Sequence, residues 1–195
     1  MLTFNNITGI FITFWGFLTV TSWYLGFSQF VSIPFEAPAM QFNTALCFIF
    51  LGLAQLFRTR LLLIPLLLIT IPTILQELLR VNLGIDTLLY INPHPTIETV
   101  YVGRMSIFTS LFFTLLGLGG LVHYKFPRMT TYIYAFVTST SLLFLLNYIP
   151  LPISTHGFYE AGEGLSSISV LTCVLFILHS TSQLKEQLGV YYDRR

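Results

Sequence analysis

Hydrophobic positions in this chain come in long runs, and most strongly polar positions fall at the ends of the runs or in the gaps between them; Gln55 and Asn147 are the main strongly polar residues within runs, and both lie toward helix ends. Six runs stand out, at about residues 7–26, 41–57, 61–80, 105–122, 131–150 and 164–182. An α-helix rises 1.5 Å per residue, so each run is long enough, or nearly so, to cross a hydrocarbon core about 30 Å thick. The second and third runs are separated only by Arg58-Thr59-Arg60, which forces a tight helical hairpin. The pattern predicts an all-α membrane protein with six transmembrane helices. Residues 1–183 form one transmembrane domain, and 184–195 form a C-terminal tail.

The runs also repeat. Residues 38–54 and 103–119 align without a gap. Met40, Thr44, Leu46, Phe48, Leu51, Gly52 and Leu53 match Met105, Thr109, Leu111, Phe113, Leu116, Gly117 and Leu118. A third, fainter copy starts near Leu165, with Ser169 and Leu171 at matching places. The repeat predicts three helical hairpins with equivalent even-numbered helices. Ala45 and Gly52 are seven residues apart and share a helix face, as do Ser110 and Gly117. Small residues there let membrane helices approach closely, so these four are expected packing positions. A ligand cavity between the equivalent helices is the alternative use of the same seam.

Charge decides the direction of threading. Arg58, Arg60, Lys125, Arg128, Lys185, Arg194 and Arg195 fall on one side of the runs, and only Arg80 and Arg104 on the other. Basic loops stay in the cytoplasm, so the 58–60 turn, the 123–130 turn and the C-terminus are expected there. An even helix count then places the N-terminus in the cytoplasm too. The outer loops, about 27–40, 81–104 and 151–163, are longer and hold most of the irregular backbone. Residues 1–6 carry no Lys or Arg and no cleavage signal follows the first run, so that run reads as a retained helix.

Composition agrees. The chain is 54% hydrophobic and 9% charged, against about 25% charged in ordinary soluble domains. So few charges cannot cover a water-facing surface, and the lipid bilayer becomes the first expected partner. Nucleic acid is not expected as a partner. Cys47 and Cys173 both lie inside apolar runs without metal-ligand spacing and read as packing residues.

Two phrases carry a resemblance. One is Leu83-Gly84-Ile85-Asp86-Thr87-Leu88-Leu89 followed by Gly103-Arg104-Met105-Ser106; the other is Met40 with Asn43-Thr44-Ala45-Leu46-Cys47-Phe48. Over roughly residues 10–180 the chain resembles the N-terminal multi-helix membrane region of bacterial sensor histidine kinases and diguanylate cyclases. The resemblance implies a bacterial inner-membrane location and a sensory role. That family carries a signalling domain after its last helix. No phospho-acceptor box, nucleotide-binding glycine motif or cyclase signature is present before Arg195. Leu184, Leu188 and Tyr191 are spaced as the first turns of a coiled coil or as an interfacial helix end.

Candidate chemistry is sparse. Glu77, Arg80, Asp86 and Arg104 cluster around the third helix, the long loop and the fourth helix. They read as an anionic-ligand anchor centred on Arg104, or as a salt-bridge network that fixes the loop. Arg104, Thr44, Thr109, Asn43, Asp86 and Arg80 are therefore the candidate ligand-binding residues. His123 and His179 lie near the inner ends of their helices and could share a depth, as the two ligands of a b-type haem must. The simpler reading makes both interfacial side chains. No other metal site is expected, and no cofactor is required. Ser166 or Ser167 with His179 would be about 18 Å apart along one helix, which excludes a serine dyad. No Lys lies within a run, so a retinal Schiff base has no attachment point, and charge deep in the runs is missing. Pro72 is expected to kink the third helix.

These readings converge on a non-catalytic sensor or signal-input module that responds to a hydrophobic or amphipathic cue. The alternative is a structural accessory subunit of a larger respiratory or photosynthetic membrane complex, packed against lipids or cofactors. A homodimer suits the first reading and a multi-subunit assembly the second.

Overall fold

The computed structural model describes residues 3–26, 40–87, 104–146 and 170–192. Expectations resting on residues 27–39, 88–103 and 151–163 of the outer loops, on Ser166 and Ser167, and on the start of the third repeat copy lie outside these residues. Among the described residues there are six α-helices and no strand. They are α1 (Phe4–Leu25), α2 (Phe42–Phe57), α3 (Leu63–Leu79), α4 (Ile107–Val122), α5 (Pro127–Leu146) and α6 (Val170–Tyr192). A short 3-10 turn, Ile85–Thr87, follows α3.

Local chemistry sets the helix ends. Thr3 caps α1 by accepting from the amide of Asn6, and Gly26 ends it in the left-handed conformation. Ser106 caps α4 by accepting from the amide of Thr109. Gln41, at the matching place before α2, makes no such side-chain bond. Arg58 and Arg80 stop α2 and α3 with φ of 50° and 53°. Pro127 opens α5, where its missing N–H costs no hydrogen bond. Pro72 lies inside α3, and beside it Thr73 donates its hydroxyl to the carbonyl of Ile69.

The helices pack most extensively as consecutive pairs: α1 with α2, α3 with α4, α5 with α6. The even-numbered helices supply the centre. Phe48 of α2, Phe113 of α4 and Phe176 of α6 are fully buried, with ring centroids 4.7–5.0 Å apart. Each such ring pair contributes about 0.5–1.5 kcal/mol beyond its buried area. Met40 and Met105 are buried alike, as are Leu51 and Leu116.

Along α1, side-chain polarity is reversed relative to a helix of a water-soluble bundle. The buried face of α1 is Thr8, Gly9, Ile12, Thr13, Gly16, Thr19 and Ser22. Its exposed face carries Ile7, Ile10, Phe11, Phe14 and Phe17. Several hydroxyls bond inside the bundle, as Thr13 does to the carbonyl of Gly9 and Thr138 to Ser180, whereas those of Thr19 and Ser141 are buried without a partner. Two helices, α1 and α5, are both long and apolar enough to cross a membrane, and only 39% and 22% of their apolar windows are buried. The core helix of a soluble protein would be mostly buried instead. Helices α2, α3 and α4 are apolar but shorter.

One end of the bundle gathers the start of α1, the 58–62 and 123–126 turns, and the last turns of α6. Asn5 bonds to Glu186, Arg58 lies 3.9 Å from Glu186, and Lys185 sits over the ring of Phe4. Helix α6 runs on to Tyr192, so the tail expected from residue 184 begins as a continuation of the helix.

Candidate functional sites at the two ends of the bundle

At the end away from the two short turns, a charged latch joins three segments. The Asp86 carboxylate, in the 3-10 turn, accepts from Arg104 Nε at 2.8 Å and from Gln76 Nε2 at 3.0 Å, both through Oδ2. Gln76 sits in the last turn of α3, and its Oε1 accepts from the amide of Leu83 at 2.9 Å. Arg104, just before α4, also pairs with Glu77 at 3.5 Å. The side chains of Arg104 and Asp86 are 8% and 4% exposed, so both charges are withdrawn from water. Their attraction and hydrogen bonds must offset that desolvation. The second carboxylate oxygen of Asp86 is buried without a partner.

Asn43 of α2 reaches the same turn by donating to the carbonyl of Ile85 at 3.3 Å. The structure thus brings Arg104, Asp86 and Asn43 together. It does not bring Arg80 in, which lies exposed at the end of α3. Thr44 and Thr109 are buried at matching places, and Thr109 pairs with the Ser106 hydroxyl at 2.8 Å. Gln76, which sequence reasoning passed over, is the central connector. Its signal was present as an amide side chain ending an apolar run, one position before Glu77.

At the opposite end, a neutral amide does the joining. Gln55 Nε2 lies within hydrogen-bond distance of the Asn5 carbonyl (2.8 Å), the Thr8 hydroxyl (2.7 Å) and the Ser182 hydroxyl (2.9 Å). A carbonyl only accepts, so the Asn5 contact fixes the NH₂ side of the amide. Gln55 Oε1 then faces His179 Nδ1 at 2.7 Å, and Nδ1 must carry the hydrogen. The neutral His179 ring keeps an unprotonated Nε2. Gln55 stood out in sequence only as a polar residue in an apolar run; it links α1, α2 and α6.

Beside this hub is a cavity of about 110 Å³. His123 and His179, the two haem candidates, both line it, together with Arg58, Arg60, Tyr134 and Gln183. Pockets for drug-sized ligands start at roughly 300 Å³, so a macrocycle would fit only if the helices parted. His123 Nδ1 lies 3.4 Å from Gln187 Nε2. Partial burial, and then the nearby charge of Arg60, hold its imidazole below the ordinary histidine value; Glu186 opposes them. Arg60 stacks over Tyr124 at 3.5 Å and donates to the carbonyl of Leu121. Among the described residues no cluster of His, Cys, Asp and Glu could hold a metal ion.

The four small residues lie in helix seams. A Cβ on Gly52 would meet the hydroxyl of Thr13 at 2.3 Å and backbone atoms of Gly9 and Thr13 at 2.9 Å. One on Gly16 would meet the carbonyl of Ala45 at 2.8 Å. One on Gly117 would meet methyl groups of Leu66 and Leu67 at 2.9–3.0 Å. Ser110 is buried, its carbonyl accepts from Thr114, and the Thr114 hydroxyl lies 2.9 Å from that of Thr70 in α3.

No protein-family model matches the chain, and it shows no significant similarity to any curated protein or solved structure.

Proposed function

We propose that the chain is a multi-pass protein of the bacterial inner membrane, with all six helices in the bilayer and both termini cytoplasmic. The reversed polarity of α1 supports the embedding: phenylalanines outward, threonines and glycines inward. In water that exterior would be unsolvated; in lipid it is matched. The gathering of Arg58, Arg60, Lys125 and Lys185 with both short turns supports the orientation.

In this membrane setting the chain works as a non-catalytic signal-input module. The carrying observation is the buried Arg104–Asp86–Gln76 latch on the outer side. It ties α3 to α4 through a short turn, where a hydrophobic or amphipathic cue entering between hairpins would compete with it. Phe176 of α6 packs on Phe48, Phe112 and Phe113. A shift of α2 against α4 would therefore move α6 and its cytoplasmic end. The cue must bind the opened packing more tightly than the latched one, because only differential affinity shifts such an equilibrium.

The outward stripe Phe11, Phe14 and Phe17 favours a second reading, in which α1 packs against a partner helix and the chain is an accessory subunit. Native mass spectrometry from the source membrane separates the two. A bound apolar small molecule that is lost in Arg104→Ala supports the sensor. Other polypeptides at fixed stoichiometry, with no small molecule, replace it with the accessory subunit.

A further inference from the structure

We propose that the outward face of α5 binds an anionic phospholipid, with the lipid phosphate at the level of Lys125 and Arg128. The site rests on the membrane reading and is independent of the sensor reading. Arg128, Tyr132, Phe136 and Leu143 are all exposed. Their spacing puts them on one side of the helix, opposite the buried Thr130, Tyr134, Val137 and Ser141. At 1.5 Å per residue, Tyr132 lies about 6 Å, Phe136 about 12 Å and Leu143 about 22 Å beyond the level of Arg128. A cation stands first, then a ring with a polar tip, then apolar side chains. That is the depth order of a phospholipid: phosphate, glycerol and ester region, acyl chain. The turn before α5 adds Lys125, three positions ahead of Arg128, with its ammonium 5.5 Å from the Phe126 ring. Arg60 steadies this turn by stacking over Tyr124 and donating to the Leu121 carbonyl.

Charge selects the headgroup. No Asp or Glu stands between Glu98 and Glu160, so neither α4, α5 nor the turn between them contributes an acid. Among the described residues neither Lys125 nor Arg128 takes part in an ion pair. Glu186, at the same end of the bundle, is engaged by Asn5 and Arg58. Two cations without a carboxylate favour a headgroup of net negative charge. A zwitterionic headgroup would bring its own ammonium against them. An acidic protein segment would match the two cations but not the apolar column that continues from them along α5.

The test is native mass spectrometry of the full chain released from nanodiscs made of equal parts phosphatidylcholine and phosphatidylglycerol. Phosphatidylglycerol should stay bound about tenfold more often than phosphatidylcholine. Lys125→Gln with Arg128→Gln should bring the two lipids within about twofold of each other. Both side chains are exposed, so the fold should survive the change. Tyr132→Ala keeps both cations and should lower the number of retained lipids severalfold. Arg58→Gln with Lys185→Gln removes the same charge from the same end but off α5, and should leave the preference intact. No preference in the unmodified chain, or undiminished retention in both α5 variants, overturns the proposal. So does an equal loss in the two double variants, which would assign the preference to the general field of the basic end. A chain that never enters nanodiscs overturns the membrane reading and this site with it, a result distinct from entry without preference.

Discussion

The hairpin of α1 with α2 and the hairpin of α3 with α4 carry matching phrases on their second helices, yet they close by different means. In the first, Gly52 lies directly against the backbone of Gly9 and Thr13, and Gly16 against the carbonyl of Ala45. Backbone meets backbone, and a neutral amide, Gln55, joins the chain at the end that holds the two short turns. In the second, Gly117 lies under the methyls of Leu66 and Leu67, a threonine pair bridges the helices, and a buried ion pair closes the opposite end. A small residue on one helix brings two backbones together only when the facing helix is small at the same level. Helix α1 offers Gly9, Thr13 and Gly16; α3 offers leucines.

The sharpest way to break this contrast is at the ion pair. Arg104→Ala leaves the carboxylate of Asp86 buried and unpaired, and should cost about 3–5 kcal/mol in reversible unfolding from detergent or lipid. Replacing both partners with apolar residues, Arg104→Met with Asp86→Leu, should recover most of that loss. A double variant as unstable as the single one would mean that the latch does not act as a pair. Gln55→Leu, in the first hairpin, should cost about 1–3 kcal/mol, because it strands His179 Nδ1 without adding a charge, whereas the Asn5 carbonyl keeps the Thr8 hydroxyl.

The seams come next. Gly52→Ala should cost about 1–3 kcal/mol, since its Cβ meets backbone that cannot turn aside. Gly117→Ala should cost less than about 1 kcal/mol, because leucine methyls can change rotamer. Equal costs would show that both seams have the same stiffness. Thr114→Val should remove the α3–α4 hydroxyl bond, worth about 0.6 kcal/mol in a membrane bundle, together with the bond to the Ser110 carbonyl of its own helix.

The smallest effect is on pH dependence. Burial and Arg60 lower the affinity of His123 for its proton in the folded chain. The unfolded chain therefore takes up that proton first as pH falls through about 6.5, and stability should decline with acidification until the folded group also titrates. His123→Gln should flatten this slope in thermal unfolding between pH 7 and pH 5; an unchanged slope would assign it to another group.

Much of the hairpin arrangement was legible in sequence. The gapless match between residues 38–54 and 103–119 marked Gly52 and Gly117, and both lie in helix seams. The charge cluster marked Arg104 and Asp86, which meet at 2.8 Å. It also marked Arg80, which stays outside, because a residue that stops a helix in the left-handed conformation points its side chain by turn geometry rather than by charge. Gln55 and Gln76 were less visible. A single amide in an apolar run has no periodic signature, and its importance arises only when three segments converge on it. The partners of Gln55 are 47 to 127 positions away along the chain.

Helices α2 and α3 both end on an arginine held in the left-handed conformation, which strains a side-chain-bearing residue by roughly 1–2 kcal/mol and glycine hardly at all. The two positions differ as targets for engineering a firmer protein. Glycine at 58 would relax a strained stop but remove a cation from the crowded basic end, weakening the signal that orients insertion. Glycine at 80 would relax an equivalent stop while removing a cation from the end that holds few of them. Arg80→Gly thus improves the resting geometry and steepens the charge asymmetry together, so with the proposed topology yield and correct threading should rise in the same variant.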